Sequence, residues 1–548
     1  MALRLRLPTV VAMAAVALLA VALNPVAIPG AAAAGTVSQR GVRTGPNGGS
    51  QRAGGSLTVL LGGTQGAWQG WDPATAPNWE PLTWGAEEVY GGLFQRNPNG
   101  NLVGDLATGY KYNGTATSLT ITLRHGVTFS DGTPLNAGAV EDNLQRLFYT
   151  PGQTCGCSTD FPLEQPLNAG VTLPDGPTGF TVVLHLSRPD VAMINAFPGE
   201  EPNTVPSPTA LAKMGEKAFA QHPVGAGPFE MVTNIPNVKV VLEKNPNYWQ
   251  KGRPYLNKLT FLTVANDASA LAALEAGQAQ VYTGGYSEYL QIPSIVSLLN
   301  VYKQAGLSAN QFSMNADTPP TNQLWAREAL AYATNPQALN KGLWGGLGVP
   351  NQSPTDLGGL FYEPKVPGTL TYNLAKAKQL VKEHGGLTVI YPINASNSGA
   401  DLLQEALAAQ WKKAGINAIL KPDDFTTWLS TIKSGSWNVT DQLCGAYDPG
   451  TSLGLTLCFG PNGPISGVKH DPHLDQLMNN ATAIVNPAKR AKAYRNIFHY
   501  IGQQVYLLGL AASPAYLLTT KNVKFPKNAP GLLVPDALLQ YFQNVTVR

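Results

Sequence analysis

The chain has 548 residues, which corresponds to about two to four domains at about 100–200 residues per domain. Apolar residues make up 44% of the chain and argue against global disorder, whereas charged residues make up only 13%, about half of the usual share of about 25%. The formal net charge of +3 makes the chain a poor electrostatic partner for nucleic acid or an anionic membrane.

The N-terminus carries the clearest local signal. Arg4 and Arg6 precede an uncharged apolar stretch, residues 9–23, and the small-residue run PGAAAAG follows. This order predicts a signal peptide over residues 1–34, cleaved after Ala34, with a retained signal anchor as the alternative. We expect export to the extracellular space or the cell envelope, and no lipobox cysteine lies near the cleavage site. Residues 35–55 are rich in Gly and Ser and predict a flexible linker.

Strands and helices alternate along the rest of the chain. Alternating apolar and β-branched residues predict strands, and apolar residues three or four apart that end at Gly predict helices. The predicted strands include SLTVLL from Ser56, TVVLHLSRP, VKVVLEK and LTVIYPI, and LTITLRHGVTF is predicted to be a strand pair or one limb of a hairpin. The predicted helices include EEVY, ASALAALE, LWAREALAYAT, LAKAKQLVKEH after an Asn373 cap and DLLQEALAAQWKK, and PAKRAKAYRNIFHYIGQQVYLLGL is predicted to be a helix followed by a strand. This alternation favours α/β lobes with mixed sheets.

The stretch LRHGVTFSDGTPLNAGAVEDNLQRLF places His125, Ser130 and Asp131 within seven residues. Its SDGT segment is a turn sequence, and the apolar face of a helix follows, capped by Asn136 or Thr133. A strand, a tight turn and a helix do not bring a base onto a nucleophile with an acid behind it, so we interpret the stretch as scaffold.

Other chemical templates are weaker still. The motifs G-x-S-x-G and H-E-x-x-H and the Walker loop do not occur in the sequence. His470 and His473 around Asp471 resemble a metal cluster, for which a polar loop is the simpler interpretation. We therefore predict no catalytic residue, no metal site and no cofactor.

Two further features bear on function. The loop GAWQGWDPATAPNWEPLTW holds four tryptophans that either pack the loop or offer stacking surfaces to a ligand. Four cysteines allow three pairings in an oxidising compartment. The Cys444–Cys458 pairing closes a short loop and is favoured, whereas Cys155 and Cys157 would form a strained ring or stay free.

Several motifs occur together in a fixed order: EEVYGGLFQRNPNGNLVGDLATGY, the stretch that ends at Phe148, VGAGPFEMV, VVLEKNPNYWQKGRPYLNKLTF, ALEAGQAQVY and FSMNADTPPTNQLWAREALAYATNPQALN. With them the chain resembles the extracytoplasmic solute-binding proteins of ABC importers for dipeptides, oligopeptides and nickel. The resemblance implies an α/β fold, a two-lobed periplasmic-binding-protein-like clamshell with mixed sheets and an extra subdomain in the first lobe. The implied division is residues 56–306 plus 519–548 for lobe I, a subdomain insertion at about 101–206, and residues 307–518 for lobe II.

The same resemblance implies where a ligand binds. The implied ligand-binding residues are Asn78, Trp79, Glu80, Phe425, Trp428, Tyr447, Asp448 and Thr451. Peptide binders of the family have an Asp that pairs with the α-amino group of the peptide, where this chain has Gly445 or Ala446. Asp448 lies close by and would substitute. A disulfide that matches Cys444–Cys458 occurs in some members, which supports that pairing.

The resulting prediction is a monomeric, non-enzymatic receptor for a small solute. The most favoured solute is an oligopeptide or dipeptide, with a nickel chelate or a sugar-derived or opine-like solute as other choices. The receptor would deliver its solute to a membrane ABC permease and would bind no nucleic acid. The alternatives are a secreted hydrolase that acts on oligopeptides or glycosides, and a surface adhesion module.

Overall fold

A computed structural model gives the fold of the chain. It describes residues 54–62, 70–76, 83–97, 101–148, 168–264, 266–285, 297–355, 357, 359–395, 400–441, 448–461, 463, 466–525 and 542–547. The statements that follow concern these residues. The predicted signal peptide, residues 35–53 of the predicted linker, Cys155 and Cys157 lie outside them.

The elements alternate along the chain, as the sequence predicts. The strands are β1 Ser56–Gly62, β2 Phe94–Arg96, β3 Leu102–Gly104, β4 Ala107–Tyr112, β5 Ser118–Leu123, β6 Asn168–Thr172, β7 Thr181–Leu186, β8 Phe229–Ile235, β9 Lys239–Lys244, β10 Lys258–Val264, β11 Val281–Gly285, β12 Leu299–Met314, β13 Val349–Pro350, β14 Leu387–Asn394, β15 Ile416–Asp423, β16 Val439–Asp441, β17 Leu507–Thr520, β18 Val523–Lys524 and β19 Thr546–Val547. The helices are α1 Thr83–Tyr90, α2 Ala137–Phe148, α3 Pro208–Met214, α4 Glu216–Phe219, α5 Asp267–Glu275, α6 Leu324–Ala333, α7 Pro336–Trp344, α8 Leu374–Glu383, α9 Ala400–Lys413, α10 Phe425–Ser434, α11 Leu457–Phe459, α12 Pro472–Thr482 and α13 Pro487–Gln504. Among these helices, none combines the length and the apolar character that crossing a membrane requires.

Local sequence signals explain where the helices begin and end. The Asn373 side chain accepts a hydrogen bond from the Lys376 N–H at 3.0 Å, so the predicted cap of α8 is confirmed. Asn136 caps the start of α2 in the same way, through the Ala139 N–H at 3.1 Å. Gly277 follows α5 with a φ of +70°, the left-handed conformation that ends a helix and that favours glycine.

One mixed sheet of nine strands joins distant parts of the chain. Its order is β16–β12–β17–β11–β1–β10–β9–β8, and β13 pairs with β17 at one side. The predicted first strand, β1, lies inside this sheet, where it pairs in parallel with β10 and β11. Both faces of β1 are covered, because Leu57, Val59, Leu60 and Leu61 are at most 1% exposed.

The strands β12 and β17 are the longest in the sheet. They pair antiparallel from Leu299 opposite Thr520 to Ser313 opposite Leu507. The register shifts between Ala305 and Ala309 and again after Asn310. On one side of these shifts β17 pairs with β11, and on the other side β12 pairs with β16 and β17 with β13. Each long strand therefore belongs to both halves of the sheet, and the neighbouring strands differ between the two halves.

A separate antiparallel sheet, β4–β5–β7–β6, lies between β1 and β8 in the sequence. Its inward side chains and the apolar face of α2 form one core, the subdomain core, with members such as Leu119, Ile121, Leu144 and Phe197. The β5–α2 connection is the stretch that holds Ser130. The prediction that this stretch is strand, turn and helix is confirmed.

Two further cores lie in the second half of the chain. The first surrounds the parallel pair β14–β15 and includes Trp411, which is fully buried. The second, the α12–α13 core, joins α10, α12 and α13 and includes Trp428, Trp437, Tyr494 and Phe498. The 18-residue helix α13 thus packs its apolar side inward, as its periodicity predicts.

Buried carboxyl groups in α1 and just after β3 have raised pKa values. Burial raises the pKa of Asp105 to about 7 against the opposing effect of Arg124, and burial next to Glu87 raises the pKa of Glu88 well above its usual range. Glu87 itself accepts a hydrogen bond from the Asn203 amide at 2.9 Å. Carboxyls with raised pKa values bind protons more tightly in the folded than in the unfolded chain.

Stability should consequently fall as the pH rises. The contribution of Asp105 is fully present below its unfolded pKa of 3.8 and is lost as the pH rises through about 7. We expect the thermal midpoint to be lower at pH 8 than at pH 5, and Asp105→Asn to flatten this difference. Scanning calorimetry at the two pH values measures it, with the exposed Glu275→Gln on α5 as the control. An unchanged pH dependence in Asp105→Asn would refute the assignment.

Candidate functional site

The predicted ligand-binding residues divide into two groups. Asn78, Trp79, Glu80, Tyr447 and the predicted disulfide residue Cys444 lie outside the described residues. The others have defined positions: Phe425 begins α10, Trp428 lies one turn later, and Asp448 and Thr451 lie in the turn before α11. Their role in ligand binding stays a prediction.

Asp448 is the centre of a buried polar cluster. Its Oδ2 accepts hydrogen bonds from Arg490 Nη2 at 3.2 Å and from Asn195 Nδ2 at 2.9 Å, and its Oδ1 accepts one from the Gly450 N–H at 3.0 Å. The Asp448 carbonyl accepts from the Thr451 hydroxyl at 2.9 Å, which closes the turn. The carboxyl group is fully buried, and these charge-assisted hydrogen bonds offset the loss of its hydration.

Asn195 reaches this cluster from the subdomain core. It belongs to the 3-10 turn Met193–Ala196, whose Met193 and Ile194 are buried in that core. The Arg96 guanidinium donates to the Asn195 carbonyl at 2.9 Å and fixes its backbone from the same side. The hydrogen bond to Asp448 therefore spans 253 residues of sequence and joins two separate cores.

Aromatic rings line the other side of Arg490. Its guanidinium carbon lies 5.1 Å from the centroid of the Phe361 ring, and Phe361 stacks on Tyr494 with a centroid distance of 5.1 Å. Phe361 has a φ of +64°, which a residue with a bulky side chain rarely adopts. Within the described residues, Arg490 Nε and the Tyr494 hydroxyl are buried and have no hydrogen-bond partner. Burial, and next the nearby Asp448, raises the pKa of the Tyr494 hydroxyl well above its usual range.

Two tryptophans, one from a predicted ligand-binding segment and one from the tryptophan-rich loop, lie in cores. Trp428 is 1% exposed and packs with Ile432 and Trp437 in the α12–α13 core. Trp71 is fully buried, and its carbonyl accepts a hydrogen bond from the Tyr90 hydroxyl at 2.6 Å. For Trp71 the packing interpretation of the tryptophan-rich loop is therefore the one that the structure supports.

Cys458 is buried in α11 and is disulfide-bonded. The other three cysteines lie outside the described residues, so its pairing with Cys444 stays a prediction.

The side chains considered for catalysis have structural contacts. His125 stacks on Phe180 with a centroid distance of 3.9 Å. Asp131 accepts a hydrogen bond from the Ser207 hydroxyl at 2.7 Å, and Ser207 caps α3. The predicted scaffold role of this stretch agrees with these contacts.

The histidine cluster is also accounted for by local structure. His470 Nδ1 lies 3.0 Å from Asp317 Oδ1, while Asp471 accepts the His473 N–H at the start of α12 and the hydroxyls of Tyr500 and Tyr506. In the described part of the chain, no group of three or more His, Cys, Asp or Glu side chains could hold a metal ion.

Sequence reasoning missed most of the residues around Asp448. Asn195, Phe361, Arg490 and Tyr494 stand in segments that look like ordinary scaffold, and only the three-dimensional structure brings them together. The local signal for Tyr494 is the apolar side of α13, which predicts burial in a core and does not predict a position beside Asp448. Nothing local in the sequence links Asn195 to Asp448.

Comparisons with known proteins agree on one family. The family model of bacterial extracellular solute-binding proteins, family 5, matches residues 101–464. The glutathione-binding protein GsiB of Shigella flexneri is 31% identical over 467 residues, which cover 80% of this chain and 86% of that protein. GsiB of Salmonella typhi is 30% identical, and there the match spans only 61% of this chain and 63% of the relative.

A solved structure shows the same fold. The oligopeptide-binding protein AppA of Bacillus subtilis, in complex with a nonapeptide, has a TM-score of 0.74 to this chain, with 91% of this chain and all of AppA covered. Its sequence is 18% identical, so this likeness concerns the fold alone. The structural neighbours are two-lobed binding proteins, which confirms the predicted α/β clamshell.

Proposed function

Because the chain belongs to the bacterial extracellular solute-binding proteins of family 5, we propose that it binds a short peptide between its two lobes and delivers the peptide to a membrane ABC permease. The relatives are substrate-binding proteins. In this proposal the protein is exported, acts as a monomer and releases its ligand chemically unchanged. It is found outside the cytoplasm, free or associated with the cell envelope.

The observation that carries this proposal is the pair of long strands β12 and β17. They run through both halves of the main sheet. The register shift at Ala305–Ala309 lies between the half in which β17 pairs with β11 and the half in which β12 pairs with β16. A clamshell closes by rotation at a few residues of the strands that cross between lobes. We place the hinge at this shift and in the facing residues around Pro514. Lobe I then comprises residues 56–306 and 519–548 and carries the subdomain, and lobe II comprises residues 307–518.

The ligand class follows from the relatives and from one departure. GsiB is named for glutathione and AppA holds a nonapeptide, so a peptide backbone is the shared chemistry. Gly445 and Ala446 lack a carboxylate for an α-amino group. We therefore propose a peptide that is recognised chiefly through its backbone and side chains, with no strong demand for a free α-amino group.

Calorimetric titration tests this proposal. The purified mature chain is titrated with di-, tri- and pentapeptides, glutathione, and the same peptides N-acetylated. We expect at least one peptide to bind with micromolar affinity, about −8 kcal/mol, and acetylation to weaken binding less than tenfold. The absence of binding to every peptide, or cleaved fragments in the recovered sample by mass spectrometry, would contradict the proposal.

Trp79 is the proposed stacking residue for the ligand. Replacing it by Ala should weaken peptide binding by about tenfold or more, because a large aromatic contact in the enclosed cleft is lost. The control is Trp325→Ala, since Trp325 lies on α6, where it is half-buried, packs against the core around β14–β15 and stacks on His384. Equal affinities of wild type and Trp79→Ala by calorimetry would remove Trp79 from the site.

A further inference from the structure

The segment Arg188–Asn195 connects the subdomain core to residues around the α12–α13 core through a row of contacts. One side of the segment belongs to the subdomain core through Met193 and Ile194. The other side contacts residues that surround the α12–α13 core. The two cores are far apart in the sequence, because Asn195 and Asp448 are separated by 253 residues.

Three hydrogen bonds form this row. The Arg188 guanidinium donates to the Asn479 side-chain carbonyl, the Val191 N–H donates to the Thr482 carbonyl at 3.0 Å, and Asn195 Nδ2 donates to Asp448 Oδ2 at 2.9 Å. The first two contacts lie in the last turn of α12. Helix C-termini have carbonyl groups without intrahelical partners and attract cations, so this end of α12 is a natural acceptor for an N–H and a guanidinium.

The segment is held in shape by its own core. The Asp190 carboxylate accepts the N–H groups of Ala192 and Met193, at 2.8 and 3.1 Å, and Asp190 N–H donates to the Ala116 carbonyl at 3.0 Å. The three contacts are therefore presented by a preformed surface.

The contact is also close-packed. Ala192 is fully buried, and a Cβ added at Gly450 would lie 2.8 Å from the Ala192 Cβ and 2.2 Å from the Tyr494 hydroxyl. A side chain at Gly450 would therefore collide with the side chains of Ala192 and Tyr494, and glycine avoids this collision. A larger residue in place of Gly450 would push the two cores apart.

We propose that Arg188–Asn195 is a latch between the two lobes and that Asn195 is its positioning residue, which holds the closed arrangement by donating to the buried Asp448. The inference rests on the proposed closure of two lobes. Opening the lobes breaks the three hydrogen bonds together and returns Asp448 to water. The strength of this latch sets the fraction of closed protein before any solute arrives, and hence the affinity for it.

Amide hydrogen exchange of the solute-free chain at pH 8 tests the latch. The Val191 N–H is protected only while it donates to Thr482. In Asn195→Asp, two carboxylates face each other where one hydrogen bond joined the lobes, so we expect Val191 to exchange about tenfold faster or more. The amides of β5 and β7 should keep their protection, because the subdomain core itself is untouched.

A complementary pair of substitutions separates the latch from a general structural defect. In Asn195→Asp/Asp448→Asn the donor and acceptor change places, and the cluster again holds one carboxylate near Arg490, so Val191 protection should return in part. The matched control is Asn237→Asp, which adds the same charge at an exposed turn of the same lobe. Small-angle scattering should show a larger radius of gyration for Asn195→Asp alone.

Three outcomes would overturn the latch: unchanged Val191 exchange in Asn195→Asp, no recovery in the double variant, or loss of protection throughout β5 and β7. No solute is added in this experiment. The two hypotheses can fail independently. Peptide binding without the expected change in Val191 exchange would support the proposed function and contradict the latch. The expected exchange without peptide binding would do the reverse.

Discussion

Replacing Arg146 by Ala should lower the free energy of unfolding by about 3–5 kcal/mol, the cost of leaving a buried carboxylate without its partner. Asp72 is fully buried, and Arg146 donates to both of its oxygens, at 2.9 Å from Nη1 and 2.6 Å from Nη2. In Arg146→Ala the Asp72 carboxylate keeps only its local turn contacts, such as the Ala74 N–H at 3.2 Å.

This ion pair also has a place in the proposed function. It fixes the turn at residues 71–76, which leads directly into the segment with Asn78, Trp79 and Glu80. We expect Arg146→Ala to weaken peptide binding as well, because that segment loses its anchor on α2.

Two further variants show which contact of Arg146 accounts for the loss of stability. Glu216→Gln removes only the exposed 3.5 Å contact of Arg146 and should change the unfolding free energy by less than about 1 kcal/mol. Asp72→Asn/Arg146→Ala removes the stranded charge and should recover part of the loss. Urea denaturation measures all three, and a loss below about 1 kcal/mol in Arg146→Ala would contradict a buried ion pair.

Replacing Trp428 by Ala is expected to cost about 3–5 kcal/mol of stability, the usual range for deleting a large core aromatic side chain. Trp428 is 1% exposed and packs in the α12–α13 core, although the family resemblance implies that it contacts the ligand. Trp428→Phe keeps part of the packing and should lose much less.

Denaturation and titration of the same samples decide between packing and ligand contact. A core role predicts a large loss of stability in Trp428→Ala, with a change in affinity that follows from the disturbed core. Wild-type stability together with a loss of affinity would show that Trp428 acts on the ligand and has no core role.

The sequence predicted local structure well because the signals for it are local. The Asn373 cap, the end of α5 at Gly277 and the apolar face of α2 depend on residues within one or two helical turns. The turn at Ser130–Thr133 was recognisable for the same reason. Such elements form wherever their few neighbouring residues allow it.

Contacts between distant segments could not be read in this way. Arg146 and Asp72 are 74 residues apart, and Asn195 and Asp448 are 253 apart. Their meeting depends on the strand order of the main sheet and on the register of β12 with β17, which periodicity does not determine. The family resemblance supplied the clamshell and implied a ligand contact at Asp448, which stays a prediction. It did not indicate the hydrogen bonds by which the Asp448 carboxylate joins two cores.

In the proposed function, the chain encloses a small peptide and releases it unaltered. Native mass spectrometry of the mature protein purified from its host tests this most directly. The predicted result is one bound small molecule per chain, released on denaturation with the mass of an intact peptide and able to rebind. A spectrum without any bound molecule after incubation with the peptide panel, or conversion of a bound guest into products, would contradict the account.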